Sequence, residues 1–121
     1  MEEYTSVDER RRYKRLPSSL SVQYRDLKKS VELPTGTVAR NVSEGGVCFN
    51  SKEFISLACR LVVEINLPAL PRPIKAISKV AWIRKLSAGD EYELGNQFLE
   101  MTKEDKSHIS NFINGLMSAP L

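Results

Sequence analysis

The segment Arg60-Leu61-Val62-Val63-Glu64-Ile65-Asn66-Leu67 has the two-residue repeat of a β-strand that is buried on one side. Every second position is apolar, at Leu61, Val63, Ile65 and Leu67. The next four residues, Pro68-Ala69-Leu70-Pro71, end the repeat because proline has no amide hydrogen to donate to a sheet. We therefore predict a strand over residues 60–67.

Further alternating segments lie on both sides of this strand. They cover residues 20–25, 37–40, 47–49, 74–86 and 92–98. Turn-forming residues separate them, such as Pro34-Thr35-Gly36 and Ser87-Ala88-Gly89-Asp90. The alternation changes phase near Ile77-Ser78, which predicts a bulge or bend there, and Gly95 predicts a bulge or a close backbone approach. The pattern indicates about six strands in succession.

After residue 101 the apolar repeat changes from two residues to the 3.6 of a helix. Its apolar positions are Ile109, Phe112, Ile113, Leu116 and Met117. Thr102 followed by Lys103-Glu104-Asp105 is typical of a helix N-terminus, since threonine caps the first turn and carboxylates oppose the helix dipole. Short strands followed by one amphipathic helix predict an all-β fold, a small antiparallel barrel with a C-terminal helix over an open end or side.

The length and composition suit one globular domain. The chain has 121 residues, of which 41% are hydrophobic and 27% are charged. We expect a single unit over residues 1–121, with a basic arm at 1–15, the barrel at 16–101 and the helix at 102–117. The start lacks the pattern of a secretory leader, and no apolar run has the length needed to cross a bilayer. We therefore expect a cytoplasmic protein without membrane insertion.

The sequence contains no recognisable catalytic site. It has no nucleophile–base pair, metal-ligand cluster or P-loop. The one histidine, His108, stands among charged residues of the predicted helix. Cys48 and Cys59 lack CxxC spacing and histidine partners, so we expect neither zinc nor a disulfide, and we assign both thiols to the core. A binding protein is expected, not an enzyme.

Positive charge is concentrated in one short segment. Residues 10–15, Arg-Arg-Arg-Tyr-Lys-Arg, carry five cations, although the formal net charge of the chain is only +3. Arg11 and Arg15 are four positions apart, and each guanidinium can bind a phosphate through two parallel hydrogen bonds. A basic run alone is most often a solvated segment, but this local cluster favours a small phosphorylated ligand over general polyanion binding.

A second motif follows at residues 41–46, Asn-Val-Ser-Glu-Gly-Gly. Asn41 has donors and an acceptor for a purine edge, Ser43 has a hydroxyl, and Gly46 permits close approach of a ligand or backbone. Alone, these residue types are equally typical of a tight turn. Together with the basic segment they indicate one anion site.

The order of these motifs resembles the PilZ domain, the bacterial receptor module for the second messenger cyclic di-GMP. Arg11 to Arg15 has the form RxxxR, and the Asn41 motif has the form D/NxSxxG. Residues 94–98, Leu-Gly-Asn-Gln-Phe, are similar to a late strand of the family, so the resemblance extends over roughly residues 9–100. It implies a six-stranded antiparallel β-barrel with a trailing helix, which agrees with the strand count above.

The resemblance also implies roles for individual residues. Arg11 and Arg15 would hold the phosphates and the guanine base of cyclic di-GMP. The opposing floor of the site would be formed by Asn41, Ser43 and Gly46. Arg10 precedes the RxxxR motif, and an arginine there is associated in this family with an intercalated pair of ligand molecules, so we predict a bound dimer. No other cofactor is implied.

Trp82, the only tryptophan, is a further candidate, as a stacking platform or as a filler of the core or barrel surface.

Three functions remain open from the residues. The first is a cyclic di-GMP receptor that changes conformation on binding and signals to an unidentified protein partner, without binding DNA or RNA. The second is a small nucleic-acid-binding barrel, which the low aromatic content of 7% disfavours. The third is a protein-interaction adaptor without a ligand, which the intact motifs disfavour.

Overall fold

The computed structural model describes residues 16–17, 19–29, 31–87 and 89–118, with side chains from residue 19 to residue 115. Seven strands and one helix lie in this part of the chain. The strands are β1 (Leu16–Pro17), β2 (Ser21–Asp26), β3 (Thr35–Val42), β4 (Gly46–Ser51), β5 (Arg60–Ile65), β6 (Ile74–Lys85) and β7 (Tyr92–Met101). The helix, α1, is Lys103–Ser118.

Strands β2 to β7 form a closed antiparallel barrel. Their order around the barrel is β3-β2-β5-β6-β7-β4, and β4 pairs back with β3. The short strand β1 adds to β3 beyond the end of β2, with Leu16 opposite Val42 and Pro17 opposite Asn41. The predicted six-stranded barrel with one C-terminal helix is confirmed. Closure leaves no long sheet edge unpaired.

The barrel interior holds the core. The largest fully buried side chains include Phe49, Leu61, Ile65, Ile74 and Leu94. The ring of Tyr24 stacks on Phe49 with a centroid distance of 4.8 Å. Its hydroxyl donates to Ser51 Oγ at 2.9 Å, and burial raises the pKa of Tyr24. The apolar side chains of the alternation predicted in residues 60–67 therefore face this core, although β5 itself ends at Ile65.

Helix α1 covers the end of the barrel where β6 begins. Ile109 and Ile113 are buried in the same core as the strands. Thr102 caps the helix as predicted, because its Oγ1 accepts a hydrogen bond from the Asp105 backbone N–H at 3.1 Å. The buried Asp105 carboxylate accepts another from the Lys75 backbone N–H, also at 3.1 Å. Asp105 therefore ties the first turn of the helix to β6.

The irregularity predicted at Ile77-Ser78 is present, but the extra residue is on the neighbouring strand. Ile77 pairs with Glu100 and Ser78 pairs with Phe98, so Leu99 is unmatched in β7. The alternation of buried and more exposed residues in β6 continues through this point. The bulge therefore bends β7 while β6 keeps its inward face.

The two cysteines are free and differ in environment. Cys48 is buried, as predicted. Cys59 is only partly buried, and its Sγ lies 3.8 Å from Asp26 Oδ2. The prediction that Cys59 is a core residue is therefore wrong about its degree of burial. Burial raises the pKa of the Cys59 thiol, and the neighbouring Asp26 carboxylate raises it further.

Candidate ligand-binding face

A bulge in β3 turns Asn41 to the outside of the barrel. Ala39 pairs with Phe49 and Asn41 pairs with Cys48, so Arg40 is an extra residue on β3. Ala39 is fully buried and Arg40 is exposed. In a regular strand Asn41 would project to the same side as Ala39, into the core. Because of the bulge, Arg40 and Asn41 are consecutive outward-facing residues.

A bulge in β6 has the same effect on Trp82. Val80 pairs with Asn96 and Trp82 pairs with Gly95, so Ala81 is the extra residue. Val80 is buried in the core, and in a regular strand the indole of Trp82 would also point inward. The ring instead lies outside the barrel over Gly95. A Cβ on Gly95 would come within 2.1 Å of the indole Nε1, which confirms the close approach predicted at this glycine.

Asn41, Cys48, Gly95 and Trp82 form a row across four adjacent strands, which we call the outer row. Each neighbouring pair in this order is directly opposite in register, and opposite residues project from the same face. With strands about 4.8 Å apart, the row is about 14 Å long. Cys48 is buried and Gly95 has no side chain. Both middle residues are buried, and the Trp82 indole covers Gly95, so Asn41 and Trp82 are the partly exposed residues at the two ends of the row.

Ser43 organises the loop between β3 and β4. Its Oγ accepts hydrogen bonds from the backbone N–H groups of Gly45 and Gly46, both at 3.1 Å. Its own backbone N–H donates to the Gly46 carbonyl at 2.9 Å. The Phe98 backbone N–H donates to the Gly45 carbonyl at 2.9 Å, which fixes the loop to β7. The buried hydroxyl of Ser43 is thus engaged in shaping the loop.

Gly46 allows β4 and β7 to approach closely. A Cβ on this residue would come within 2.1 Å of the Asn96 carbonyl oxygen, a backbone atom that cannot move aside cheaply. Any larger residue at position 46 would therefore push the two strands apart. The space that the missing side chain leaves is occupied by β7.

The chain enters the barrel beside Asn41. Pro17 of β1 is directly opposite Asn41. The arm, including Arg10, Arg11 and Arg15, lies outside the described residues. Since Arg15 is the residue immediately before β1, the arm joins the barrel at the Asn41 end of the outer row. The structure thus brings Asn41, the Ser43 loop and β1 together, with Trp82 at the far end of the row.

Charges beside the row are partly compensated. Arg84 of β6 pairs with the Glu93 carboxylate of β7. The Cys48 thiol donates to the same carboxylate at 3.3 Å.

Asn41 Oδ1 is shielded from solvent and accepts no hydrogen bond from the described part of the chain. Such an unpaired acceptor is destabilising until a donor reaches it.

Sequence reasoning missed three members of this face. It predicted a buried Cys48 and a close backbone approach at Gly95 without connecting either residue to a ligand, and it gave Arg40 no role. One signal was available, because Ala39 and Val42 are apolar and three residues apart, which a regular strand cannot place on one side. Both are buried, as the bulge requires.

Across residues 19–115, wherever a side chain is described, no group of three or more His, Cys, Asp or Glu is arranged to hold a metal ion. His108 Nε2 lies 3.7 Å from the Glu104 carboxylate on the surface of α1. No helix within the described ranges is long and apolar enough to cross a membrane.

The chain belongs to the PilZ family. The family profile described as PilZ domain matches residues 9–115. PilZ domain proteins are c-di-GMP receptors and not enzymes. A comparison with curated proteins found no match.

Solved structures share this fold. The inhibitor of motility MotI/DgrA from Bacillus subtilis has a TM-score of 0.75 at 20% identity, covering 92% of this chain and 53% of its own. YcgR in complex with c-di-GMP, from Escherichia coli, has a TM-score of 0.71 at 16% identity, covering 89% and 46%. The MrkH complex with c-di-GMP, from K. pneumonia, has a TM-score of 0.66 at 18% identity, covering 88% and 52%. The chain therefore spans about half the length of these three proteins.

Proposed function

We propose that this chain is a cyclic di-GMP receptor that binds the messenger over the outer row. Its membership of the PilZ family supports the ligand class, as do the similar structures of YcgR and MrkH with c-di-GMP. The observation that carries the proposal is the outer row itself, which is about 14 Å long and has partly exposed residues at its two ends. A carboxamide and an indole stand at its two ends, and the basic arm joins the barrel beside the first of them.

In this proposal the arm closes over the ligand from the Asn41 end. Arg11 and Arg15 each bind a phosphate or guanine through a planar guanidinium. Each charge-assisted contact contributes about 1.5–3 kcal/mol. Loss of either arginine should therefore lower affinity about tenfold to a hundredfold.

The barrel supplies the contacts to the bases. The unpaired Asn41 Oδ1 is an acceptor suited to the N–H donors on the Watson–Crick edge of guanine. The indole of Trp82 is a stacking surface for a planar base, and such stacking contributes about 1–3 kcal/mol per base. Ser43 and Gly46 act by holding the loop and β4 in place beneath the ligand. The Ser43 hydroxyl is already hydrogen-bonded to the loop backbone, and β7 already fills the space beside Gly46.

We further propose that two messenger molecules bind as an intercalated dimer. Support comes from Arg10, which adds a third guanidinium immediately before the RxxxR motif and can stack on or bond to the second molecule. Calorimetry should then give two molecules of cyclic di-GMP per chain. A stoichiometry of one would contradict this part of the proposal.

Closure of the arm would change the surface at the Asn41 end of the barrel, and we propose that a protein partner detects this change. We place the protein in the cytoplasm, where the messenger acts. We propose no nucleic-acid partner, because Arg84 at the Trp82 end is neutralised by Glu93 and no second aromatic side chain lies in the outer row. MrkH, however, is described as a c-di-GMP-dependent transcription regulatory factor, so duplex DNA is a necessary control ligand.

Calorimetric titration of the full chain with cyclic di-GMP tests the proposal. Binding should be saturable and should fall about tenfold or more in Arg15→Ala. Arg60→Ala is the matched control, because Arg60 is an exposed arginine on β5, on the far side of the barrel from β4. Absence of heat with cyclic di-GMP, or salt-sensitive binding to duplex DNA in its place, would contradict the proposed function.

A further inference from the structure

We propose that Arg40 is an additional phosphate contact for the messenger, supplied by the barrel wall and not by the arm. This inference rests on the proposed function above. Arg40 is the unmatched residue of the β3 bulge, and its side chain is exposed. It immediately precedes Asn41, the end of the outer row at which the arm joins the barrel.

The bulge produces a combination that a regular strand cannot. Consecutive residues of a regular strand project to opposite faces, so a cation next to Asn41 would normally point to the other side. Here the extra residue leaves both side chains outside, while Ala39 and Val42 on either side remain buried. Bulges often re-aim side chains next to binding sites. The β3 bulge therefore leaves Arg40 and Asn41 as neighbouring residues on the outer face of the barrel.

The guanidinium of Arg40 is available for a ligand. Two other arginines of the described residues are engaged, Arg72 with Glu104 at 3.5 Å and Arg84 with Glu93. No acidic side chain in the described ranges forms an ion pair with Arg40. Its planar fork of donors therefore remains free to bind a phosphate in two places.

The position also fits the geometry of a cyclic dinucleotide. Such a ligand carries two phosphates on opposite sides of one ring, so the two phosphates are contacted from different directions. Arg40, on the barrel wall beside Asn41, would contact one of these phosphates.

The test is a calorimetric titration with cyclic di-GMP of Arg40→Ala, Arg40→Lys and the control Arg60→Ala, each at low and high salt. We expect Arg40→Ala to lose about tenfold in affinity, with Arg40→Lys in between because lysine keeps the charge and loses the fork. Arg60→Ala should stay within about twofold of wild type. The affinity of Arg40→Ala should also depend less on salt, since one charge contact is missing.

Each outcome is decisive. If Arg40→Ala binds as tightly as Arg60→Ala while Arg15→Ala still fails, the inference about Arg40 is wrong and the receptor function stands. If the wild-type chain binds no cyclic di-GMP, both the receptor function and the inference about Arg40 are wrong. Thermal melting of every variant accompanies the titration. If Arg40→Ala has a lower melting temperature than wild type, the contact is judged from Arg40→Lys, provided that this variant has wild-type stability. Full wild-type affinity of Arg40→Lys would then contradict the bidentate contact.

Discussion

The indole of Trp82 lies directly over Gly95 of the neighbouring strand, where a Cβ would come within 2.1 Å of the indole Nε1. The two residues are opposite each other in register, and they reach this arrangement because Ala81 is an extra residue in β6. Gly95 thus provides the floor on which the only tryptophan of the chain rests. If Trp82 stacks on a base, its position is set by a glycine that touches no ligand.

Gly95→Ala should displace the indole. The added methyl group would overlap ring atoms, which costs about 1–3 kcal/mol of folding free energy or moves the ring off the outer row. We expect a lower melting temperature and weaker binding of cyclic di-GMP. Gly36→Ala is the control, because nothing lies within 4 Å of a Cβ at that β3 position. Equal melting and binding of the two variants would show that the Trp82 position is not held by Gly95.

Trp82 should report ligand binding by its own fluorescence. Because it is the only tryptophan, its emission is a local signal from one end of the outer row. We expect saturable quenching with cyclic di-GMP and a loss of about 1–3 kcal/mol of binding in Trp82→Ala, with a smaller loss in Trp82→Phe, which keeps a stacking ring. Unchanged emission at saturating ligand, as judged by calorimetry, would exclude Trp82 from the site.

Ser43→Ala should loosen the loop between β3 and β4. The substitution leaves the Gly45 and Gly46 backbone N–H groups without their side-chain acceptor, at a cost of about 1–3 kcal/mol for a buried site. Amide hydrogen exchange at these glycines should accelerate, and ligand affinity should fall as the loop loses its shape. Ser21→Ala, at an exposed strand position, is the control. Unaltered exchange at Gly45 and Gly46 would contradict this role.

Asp105→Ala should detach the start of α1 from β6 without touching the outer row. The Lys75 backbone N–H would lose its acceptor, so we expect a loss of about 1–3 kcal/mol and a fall of several degrees in the melting temperature. Cyclic di-GMP affinity should remain within about twofold of wild type. Glu104→Ala is the control, because that side chain is 67% exposed and its ion pairs are worth little. Equal melting of the two variants would refute the anchoring role.

Cys59 should react slowly with alkylating reagents. Burial raises the pKa of its thiol and the Asp26 carboxylate adds to this, so less thiolate is present at any pH below that pKa. The rate of reaction with iodoacetamide, followed by peptide mass spectrometry, should rise only at a higher pH than for a free cysteine. Asp26→Asn removes the negative charge and should shift the profile toward lower pH. An identical profile in the variant would contradict the contribution of Asp26.

Much of the fold is encoded locally and was predictable. The alternation in residues 60–67 identifies the inward face of β5, and Thr102 with Asp105 marks the helix start because capping involves only neighbouring residues. The pairing of the two sequence motifs also predicts that the loop between β3 and β4 belongs to the ligand site, which stays a prediction. These features depend on contacts close in the chain or on short motifs.

The outer row was not predictable in the same way. A bulge is defined by the register of two strands, and the sequence alone does not align β3 with β4 or β6 with β7, so it does not show that Arg40 and Ala81 are unmatched. For the same reason Cys48 and Gly95 gave no sign that they join Asn41 to Trp82. Ser43 was identified by its motif, but its hydrogen bonds to the loop depend on the folded hairpin.

The most direct test of the account is mapping of amide chemical-shift changes in the isotopically labelled full chain on addition of cyclic di-GMP. We predict that the largest changes fall on Asn41, Cys48, Gly95 and Trp82, including the indole N–H, with little change on β5. Changes centred on β5 or on the surface of α1, or no changes at saturating messenger, would contradict the claim that the outer row is the ligand site.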